Sequence, residues 1–352
     1  MLKLLEKLLE DMQKQSSLYK PTTFWEEASK IIIQEITSKE LKDFRSFDSA
    51  LSMFAPTYAF PLYLKKRDTF KEVQKLLEIT TQDVKSHLKL KNIIKGQTQA
   101  FADYRVLEAG NVDKAPYTDK VSESTIGNPP EQFTFNGRNF SRSFLNYLLG
   151  LSFLKQHVDT TSIKSVLEIG GGFGTLGEIL LGDKRNDIFY INADIPPVVL
   201  ASSYYLQKVF TKESIATYET TQNLKKITIS ELQKTHRALN IPSWQVPLLE
   251  GQVDLFVNFI SFQEMEPEVV KNYCFYIQKL SPKYILLRNI KEGKRKQDKD
   301  FTYGVKDPIK GEDYDFYLPQ YELLAIDSSI FGLKMEDGFH SELRIYIKKQ
   351  EI

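Results

Sequence analysis

The chain has 352 residues, of which 41% are hydrophobic and 26% are charged. This is an ordinary globular composition, and the chain is long enough for two domains. The net charge of +1 provides no general positive field for nucleic acid or for an anionic membrane. We therefore expect no nucleic-acid partner. No run of about 18 apolar residues occurs, so we also expect no membrane span.

The cysteine content and the start of the chain indicate the compartment. The single cysteine, Cys274, falls in an apolar helical pattern, and a chain with one cysteine has no internal disulfide, which is typical of a reducing cytosol. Charged residues interrupt the leucine-rich segment 1–12, so it is not a signal sequence. Its leucines form a helical stripe that would pack on the same chain or on a second subunit. We therefore expect a cytoplasmic protein and leave homo-oligomerisation through the N-terminal helices open.

The first part of the chain, residues 1–158, is predicted to be a mainly helical domain with a lid. Helical periodicity marks residues 25–36, 70–79 and 141–157. A polar stretch rich in turn residues, 110–139, precedes the last of these helices. A long loop just before a catalytic domain is often a lid, and a structural connector is an equal alternative.

The most informative stretch has the sequence KSVLEIGGGFGTLG and spans residues 164–177. It predicts a short buried strand, a turn of glycines and an apolar helix, which together let the backbone approach a ligand closely. A second predicted strand ends at Asp194, 20 residues after Gly174. At this spacing an acidic side chain reaches ribose hydroxyls in a βαβ nucleotide site.

The register of the glycines distinguishes between nucleotides. A dinucleotide fingerprint that begins at Gly170 would need its third glycine at Thr175, and one that begins at Gly172 would place Glu168 inside an apolar strand. The pattern acidic-x-Gly-x-Gly-x-Gly, residues 168–174, instead resembles motif I of the class I S-adenosylmethionine (SAM) methyltransferases. The resemblance implies SAM as the cofactor, bound by Glu168, Gly170, Gly172, Gly174 and Asp194. Glu168 would attract the ammonium group of SAM directly or through water.

The second half of the chain, residues 159–352, alternates predicted strands and helices. We expect strands at 165–169, 188–193, 214–218, 253–258 and 284–288, helices at 173–182, 198–210, 266–280 and 318–326, and a final hairpin of 331–335 and 342–347 that turns at Asp337-Gly338. This layout is that of a Rossmann-like class I methyltransferase catalytic domain: α/β, with a mostly parallel seven-stranded sheet and a terminal β-hairpin.

Four further segments sharpen the resemblance: 126–129, 194–197, 241–245 and 253–265. They resemble the family of sugar O-methyltransferases from bacterial surface-polysaccharide loci, and the likeness extends over roughly residues 120–349. It implies methyl transfer to a hydroxyl of a sugar, as a sugar nucleotide, a small molecule or a glycan precursor of a surface polysaccharide.

Two residues are candidates for the catalytic base that an alcohol acceptor requires. Plant small-molecule O-methyltransferases carry a histidine nine residues past an aspartate that corresponds to Asp254. That count reaches Gln263, which cannot act as a base, so the role passes to Glu264 or His340. The structural alternatives are a charge at a helix N-terminus for Glu264 and a solvated turn for His340.

The other candidates follow from the rule that ligands bind beyond the carboxyl ends of the strands. The cofactor candidates are Trp244, Gln245 and Asn258, and the acceptor candidates are Ser261, Gln263, Arg288, Tyr303 and Tyr314. Each is equally a packing or capping residue. No His/Cys cluster with zinc spacing occurs, so no metal is predicted, although an oxygen-only magnesium site stays open.

Three other functions compete with this interpretation. The first is a SAM-dependent methyltransferase of a non-sugar molecule, such as a phenol or an amine, whose acceptor face would be mostly apolar. The second is a NAD-dependent oxidoreductase, which the glycine register disfavours. The third is a non-catalytic scaffold, against which the intact glycines and Asp194 argue.

Overall fold

The computed structural model describes residues 2–59, 75, 84–299, 304–328, 333–334 and 340–350. The helix predicted over 70–79 falls almost wholly outside these residues. Tyr303 and the predicted turn at Asp337-Gly338 also lie outside them.

The N-terminal part of the chain is mainly helical. Its helices and one short hairpin are α1 (Leu2–Gln13), α2 (Thr23–Ser38), α3 (Asp48–Met53), α4 (Val84–Ile94), α5 (Gln97–Ala109), β1 (Phe133–Phe135), β2 (Arg138–Phe140) and α6 (Arg142–His157). Ser141 caps α6, since its hydroxyl oxygen accepts the Phe144 N–H at 3.3 Å. The leucine stripe of α1 packs on its own chain, where Leu8 contacts the core around Val199 and Trp244.

The second half of the chain forms an α/β layer structure. Its elements are β3 (Ser165–Ile169), α7 (Thr175–Gly182), β4 (Phe189–Asp194), α8 (Pro196–Val209), β5 (Ile215–Ala216), α9 (Tyr218–Thr221), β6 (Ile227–Thr228), α10 (Ile229–Leu232), β7 (Ala238–Pro242), β8 (Leu249–Glu250), β9 (Leu255–Phe259), α11 (Pro267–Leu280), β10 (Tyr284–Ile290), α12 (Asp313–Tyr317), β11 (Tyr321–Asp327), β12 (Leu333–Lys334) and β13 (His340–Lys348).

The main sheet has the strand order β11-β13-β10-β9-β3-β4-β7-β5. Strand β13 runs antiparallel to both of its neighbours, and the strands from β10 to β5 pair in parallel. Leaving out the two-residue strands β5 and β12, the described sheet has seven strands, and β13 alone among them runs antiparallel, which agrees with the predicted mostly parallel seven-stranded sheet. The structure therefore confirms the Rossmann-like class I methyltransferase fold.

The helix predicted over 318–326 is wrong, because this segment is the edge strand β11. Leucine and glutamate favour a helix, but pairing with β13 outweighs that propensity here. Leu324 and Ile326 stay 46% and 47% exposed, which fits a strand at the margin of the sheet. The long antiparallel partner of β13 is thus β11, and the predicted partner near 331–335 contributes the two-residue pairing of β12.

The third strand of the sheet was also predicted in the wrong place. The segment predicted over 214–218 forms β5, two residues at the edge. The interior position belongs to β7, which is fully buried between β4 and β5. Strand β7 is five residues long and ends at Pro242, so its local pattern is too brief to indicate a central strand.

Two hydrophobic clusters cover the two faces of the sheet, since successive strand residues point to opposite sides. Val166 belongs to a cluster with α6, α7 and α8, whereas Leu167 belongs to a cluster with α11, which includes the buried Cys274. Ile32 and Phe44 of the N-terminal part join the first cluster. The predicted division at residue 158 therefore crosses a continuous core, and it stays a prediction.

No helix among the described residues combines the length and the apolar character that a membrane crossing requires.

Candidate active site

A cleft opens beyond the carboxyl ends of β3, β4, β9 and β10, where the topology of a parallel sheet places ligands. It encloses about 1010 Å³ of space, part of which is open to solvent. It is lined by residues from the glycine turn, from α6, from the ends of β9 and β10, and from the N-terminal segment.

The glycines of the turn have different tasks. All three predicted glycines adopt positive φ, at 73° for Gly170, 58° for Gly172 and 96° for Gly174. A Cβ on Gly170 would lie 2.0 Å from the Ser261 hydroxyl, so Gly170 is required for packing. A Cβ on Gly172 would meet no atom closer than 3.9 Å, at Phe54, and Gly172 lines the cleft. The space that a side chain at position 172 would occupy is therefore open to a ligand.

Asp194 lies beside Gly172 at the end of β4. Its Oδ1 accepts the Ile195 N–H at 2.7 Å and its Oδ2 accepts the Gly172 N–H at 3.0 Å. Burial raises the pKa of Asp194 to about 7, against the lowering effect of these two N–H donors. A carboxylate has about four acceptor positions, so Asp194 retains capacity for two donors from the cleft.

Glu168 does not line the cleft, which corrects the expectation of a direct contact with a ligand. It is fully buried, its Oε1 accepts the Tyr147 hydroxyl at 2.7 Å, and its Oε2 accepts the Tyr190 hydroxyl. Burial raises the pKa of Glu168 to about 7. Tyr147 lines the cleft and stacks on Phe259 with ring centroids 4.8 Å apart. Glu168 therefore acts on the cleft through Tyr147.

Tyr147 and its neighbours on α6 were missed by the sequence analysis. Ser143, Asn146 and Tyr147 all line the cleft. They form a polar stripe at helical spacing in an otherwise apolar helix, which is the signal that would have identified them.

The N-terminal segment supplies a second unexpected wall. The residues that line the cleft from this part of the chain are Lys20, Pro21, Thr22, Trp25, Met53, Phe54 and Pro56. None of the described residues of the predicted lid, 110–139, lines the cleft. Residues from the segments 20–25 and 53–56 thus line the cleft, and the lid over 110–139 stays a prediction.

Glu264 lines the cleft and joins this wall to the sheet. Its Oε2 accepts the Trp25 indole N–H at 3.0 Å, and its Oε1 accepts the Lys294 ammonium at 2.7 Å. The Lys294 ammonium also lies 3.8 Å from the ring centroid of Phe24. Each carboxylate oxygen of this candidate base thus already accepts one hydrogen bond from within the protein.

His340, the other candidate base, is not among the residues that line the cleft. It begins β13, where its backbone N–H and its Nδ1 both lie 2.7 Å from the Glu292 carboxylate. The first pairing of β13 places it just beyond the end of β10. His340 is therefore at the margin of this edge of the sheet, and its ring is engaged by Glu292.

Asn258 and Gln263 hold the ends of the strands together and do not line the cleft. The Asn258 amide donates to the Ile169 carbonyl at 2.8 Å and to the Ser261 hydroxyl at 2.6 Å. Gln263 accepts the Ile290 N–H at 2.7 Å. Both side chains are buried, so the structure gives them a positioning role in place of the predicted ligand contacts.

Trp244, Gln245 and Tyr314 are also placed away from the cleft, contrary to the expected contacts. Gln245 is buried and exchanges two hydrogen bonds with Thr221, at 2.7 and 3.0 Å. Trp244 packs edge-on against Tyr218. Tyr314 is 1% exposed within the core on the α11 side of the sheet. Packing explains all three positions.

Ser261 and Arg288, two of the acceptor candidates, lie in the cleft wall together with a strained residue. Ser261 donates its hydroxyl to the Ile169 carbonyl at 3.1 Å. Ile260, which precedes it, has φ of 73°, and a β-branched residue adopts this conformation at a cost of about 1–3 kcal/mol. Such strain concentrates at functional sites, which agrees with a ligand site at the end of β9.

No group of three or more His, Cys, Asp or Glu side chains within the described parts of the chain is arranged to hold a metal ion.

No family model matches the sequence, and no curated protein matches it significantly. A SAM-dependent methyltransferase from Aquifex aeolicus aligns at 13% identity over 56% of this chain and 89% of that chain, with a TM-score of 0.36. The small RNA methyltransferase HEN1 aligns at 15% identity over 57% of this chain and 25% of its own, with a TM-score of 0.37.

Magnesium protoporphyrin IX methyltransferase from Synechocystis PCC 6803 with bound SAH aligns at 12% identity over 59% of this chain and 84% of that chain, with a TM-score of 0.38. The fold assignment rests on the strand order and not on these distant likenesses. By that order, this chain has the fold of the class I SAM-dependent methyltransferases.

Proposed function

We propose that this chain is a SAM-dependent O-methyltransferase whose acceptor is a sugar hydroxyl. One observation carries the choice of cofactor: Gly172 leaves an open space beside the Asp194 carboxylate at the edge of the parallel sheet. The cofactor, when bound, supplies a methyl group on a positively charged sulfur, together with ribose hydroxyls and an ammonium group.

The residues around the glycine turn fit these groups. Asp194 has acceptor positions for two ribose hydroxyls, because its two N–H donors occupy about half of its capacity. The Tyr147 hydroxyl donates a hydrogen bond to Glu168, so the lone pairs of the Tyr147 oxygen are available to an ammonium group. Above the raised pKa of Glu168, about 7, Glu168 is ionised, and the hydrogen bond to it strengthens the Tyr147 oxygen as a partner for a cation.

Methyl transfer to a hydroxyl also requires that the protein position the acceptor oxygen and remove its proton. Of the two predicted bases, Glu264 is the one that lines the cleft. We assign it this role with a condition: the acceptor hydroxyl must replace the Trp25 N–H or the Lys294 ammonium at one carboxylate oxygen. Movement of the N-terminal wall would provide that exchange.

Polar groups support a sugar as the acceptor. Ser143, Asn146 and Arg288 stand in a cleft wall that is otherwise mostly apolar, and they are the groups that would bind the hydroxyls of a sugar. Within the described residues, the side chains of Ser143 and Asn146 take part in no hydrogen bond, so they are available to acceptor hydroxyls.

A donor–acceptor screen with radiolabelled SAM tests this proposal. The full chain would be incubated with sugar nucleotides and polysaccharide precursors in one series, and with phenols and amines in another. We expect label in the sugar series and none with the Gly172→Val variant. Label confined to phenols or amines would replace the sugar by a non-sugar acceptor, and SAM binding without any transfer would favour a non-catalytic scaffold.

A further inference from the structure

One buried cation in the cleft wall, Arg288, has no side-chain partner among the described residues, and it carries an inference about the acceptor. Arg288 lies on β10, between the parallel strand β9 and the antiparallel strand β13. It is 6% exposed and lines the cleft. Its Nε is buried without any hydrogen-bond partner.

The other buried arginines of the described structure show how this protein treats such groups elsewhere. Arg45 is 2% exposed and pairs with the Glu123 carboxylate. Arg344 is 7% exposed and pairs with Glu342. Within the described residues, Arg288 forms no ion pair and no side-chain hydrogen bond. A buried charge without a partner is costly, so its retention at the cleft indicates a partner that arrives from outside the chain.

Arg288 stays protonated in these surroundings, and the nearby carboxylates do not neutralise its charge. Burial, reinforced by the nearby Arg142 guanidinium, lowers the pKa of Arg288 to about 10, which still leaves it charged at neutral pH. The Asp103 carboxylate attracts Arg288 from a distance, but it accepts the hydroxyl of Tyr58. The Glu264 carboxylate of the same cleft is taken by Trp25 and Lys294.

The position of Arg288 assigns it to the acceptor side of the cleft. Neighbouring strands lie roughly 4.8 Å apart, so β10 is about 10 Å from β3 and about 14 Å from β4. The turn after β3 and Asp194 at the end of β4 form the proposed cofactor wall. Arg288 faces the same cleft from beyond β9, with Ser143 and Asn146 of α6 also in the wall.

We propose that Arg288 binds an anionic group of the acceptor, so that the substrate is a sugar bearing a carboxylate or a phosphate. This inference rests on the proposed methyltransferase function. A guanidinium presents a planar fork of donors that matches both groups bidentately. The anion would hold the sugar in the cleft and offset the charge of Arg288. Ser143 and Asn146 would form hydrogen bonds with the hydroxyls of the sugar.

Calorimetry on the full chain saturated with SAH tests the proposal without turnover. The probes are glucuronate, glucose 6-phosphate and neutral glucose, which have similar rings and differ in the anion. We expect at least one anionic probe to bind more than tenfold tighter than glucose, and the tighter of the two anionic probes identifies the group. Arg288→Met should remove that preference, and Arg288→Lys should retain a part of it, because a lysine keeps the charge but loses the fork.

Two controls separate the possible failures. Arg185→Met removes a half-exposed arginine that pairs with Asp183 outside the cleft, and it should leave the preference intact. SAH affinity, measured for every variant, should stay within about twofold of the unmodified chain. If Arg288→Met does not fold, the Arg288→Lys comparison still decides the matter.

Each contrary result has a distinct meaning. Equal affinity of the unmodified chain for glucose and both anionic probes would overturn the anion site while leaving the methyltransferase proposal standing. A loss of SAH affinity of tenfold or more in the Arg288 variants would instead place the guanidinium on the cofactor, which also overturns the inference. Failure of the unmodified chain to bind SAH would count against the proposed function itself.

Discussion

The two sides of the cleft are built in contrasting ways. On the cofactor side, Gly172, Asp194 and the Tyr147–Glu168 pair are fixed by hydrogen bonds within the protein before any ligand arrives. On the acceptor side, Arg288 and Asn146 face the cleft with no side-chain partner among the described residues. The polar groups of the first side already have hydrogen-bond partners within the protein. Those of the second side have donors and acceptors that a ligand can pair.

The largest effect should come from filling the space at Gly172. Gly172→Val places a side chain where the cleft is open, so we expect SAM affinity to fall at least a hundredfold, about 2.7 kcal/mol, in a folded protein. Gly137→Val is the matched control, because Gly137 also has positive φ and open space around its Cβ but lies in the β1–β2 turn. Calorimetry with SAM measures both.

Normal SAM binding by folded Gly172→Val would show that the glycine turn is not the cofactor site. Gly170→Val is a weaker test than the sequence indicated. Its side chain would collide with Ser261, so a loss of binding would follow from a disturbed turn as well as from a blocked ligand.

Removal of the candidate base should affect turnover more than binding. We expect Glu264→Gln to lower kcat about a hundredfold with SAM affinity kept, since a general base contributes roughly 10² to 10⁴ in rate. Glu266→Gln is the control: Glu266 also fastens the N-terminal segment, by accepting the Thr23 hydroxyl at 3.0 Å, but it does not line the cleft. His340→Asn, measured alongside, should have little effect.

Equal losses in Glu264→Gln and Glu266→Gln would mean that Glu264 fastens the N-terminal wall and does not take the proton. A hundredfold loss in His340→Asn alone would transfer the role of the base to the edge of the sheet.

The buried carboxylate behind Tyr147 predicts a pH-dependent stability. Burial raises the pKa of Glu168 from an ordinary value of 4.5 to about 7, so the unfolded chain ionises this group first as the pH rises. The stability that neutral Glu168 provides is complete below about pH 4.5 and is lost as the pH rises to about 7. Glu168→Gln does not titrate and should avoid this loss, so its stability relative to the unmodified chain should improve by on the order of 2 kcal/mol between pH 4.5 and 7.5.

Urea denaturation of both proteins across that range measures the change. A difference in free energy of unfolding that stays constant with pH would mean that Glu168 is ionised throughout, with a normal pKa.

A smaller effect should distinguish the two tyrosines that bind Glu168. Tyr147→Phe keeps the ring stack on Phe259 and removes the hydroxyl at the cleft, so we expect SAM affinity to fall about tenfold. Tyr190→Phe removes the other donor to Glu168 from a fully buried position and should leave SAM affinity nearly unchanged. Similar losses in the two variants would show that Glu168 acts by holding the turn, with no direct role for the Tyr147 oxygen.

The parts of the molecule that the sequence predicts well are those set by short-range spacing. The strand–turn–helix around Gly170 and the end of β4 at Asp194 depend on residues about 20 apart, and local pattern is sufficient to identify them. The strand β11 was predicted as a helix, because pairing with β13 decides its conformation. The N-terminal wall was missed altogether, since Trp25 and Glu264, which meet there, are 239 residues apart in the chain.

The central claim is that the cofactor side of the cleft binds SAM, and calorimetry with SAM, SAH and NAD on the unmodified chain and on Asp194→Ala tests it most directly. We expect SAM and SAH to bind and NAD not to bind. Asp194→Ala should weaken both SAM and SAH at least about tenfold, because each hydrogen bond to this charged acceptor contributes roughly 1.5–3 kcal/mol. Binding of NAD in place of SAM and SAH, or unchanged SAM affinity in Asp194→Ala, would contradict the account.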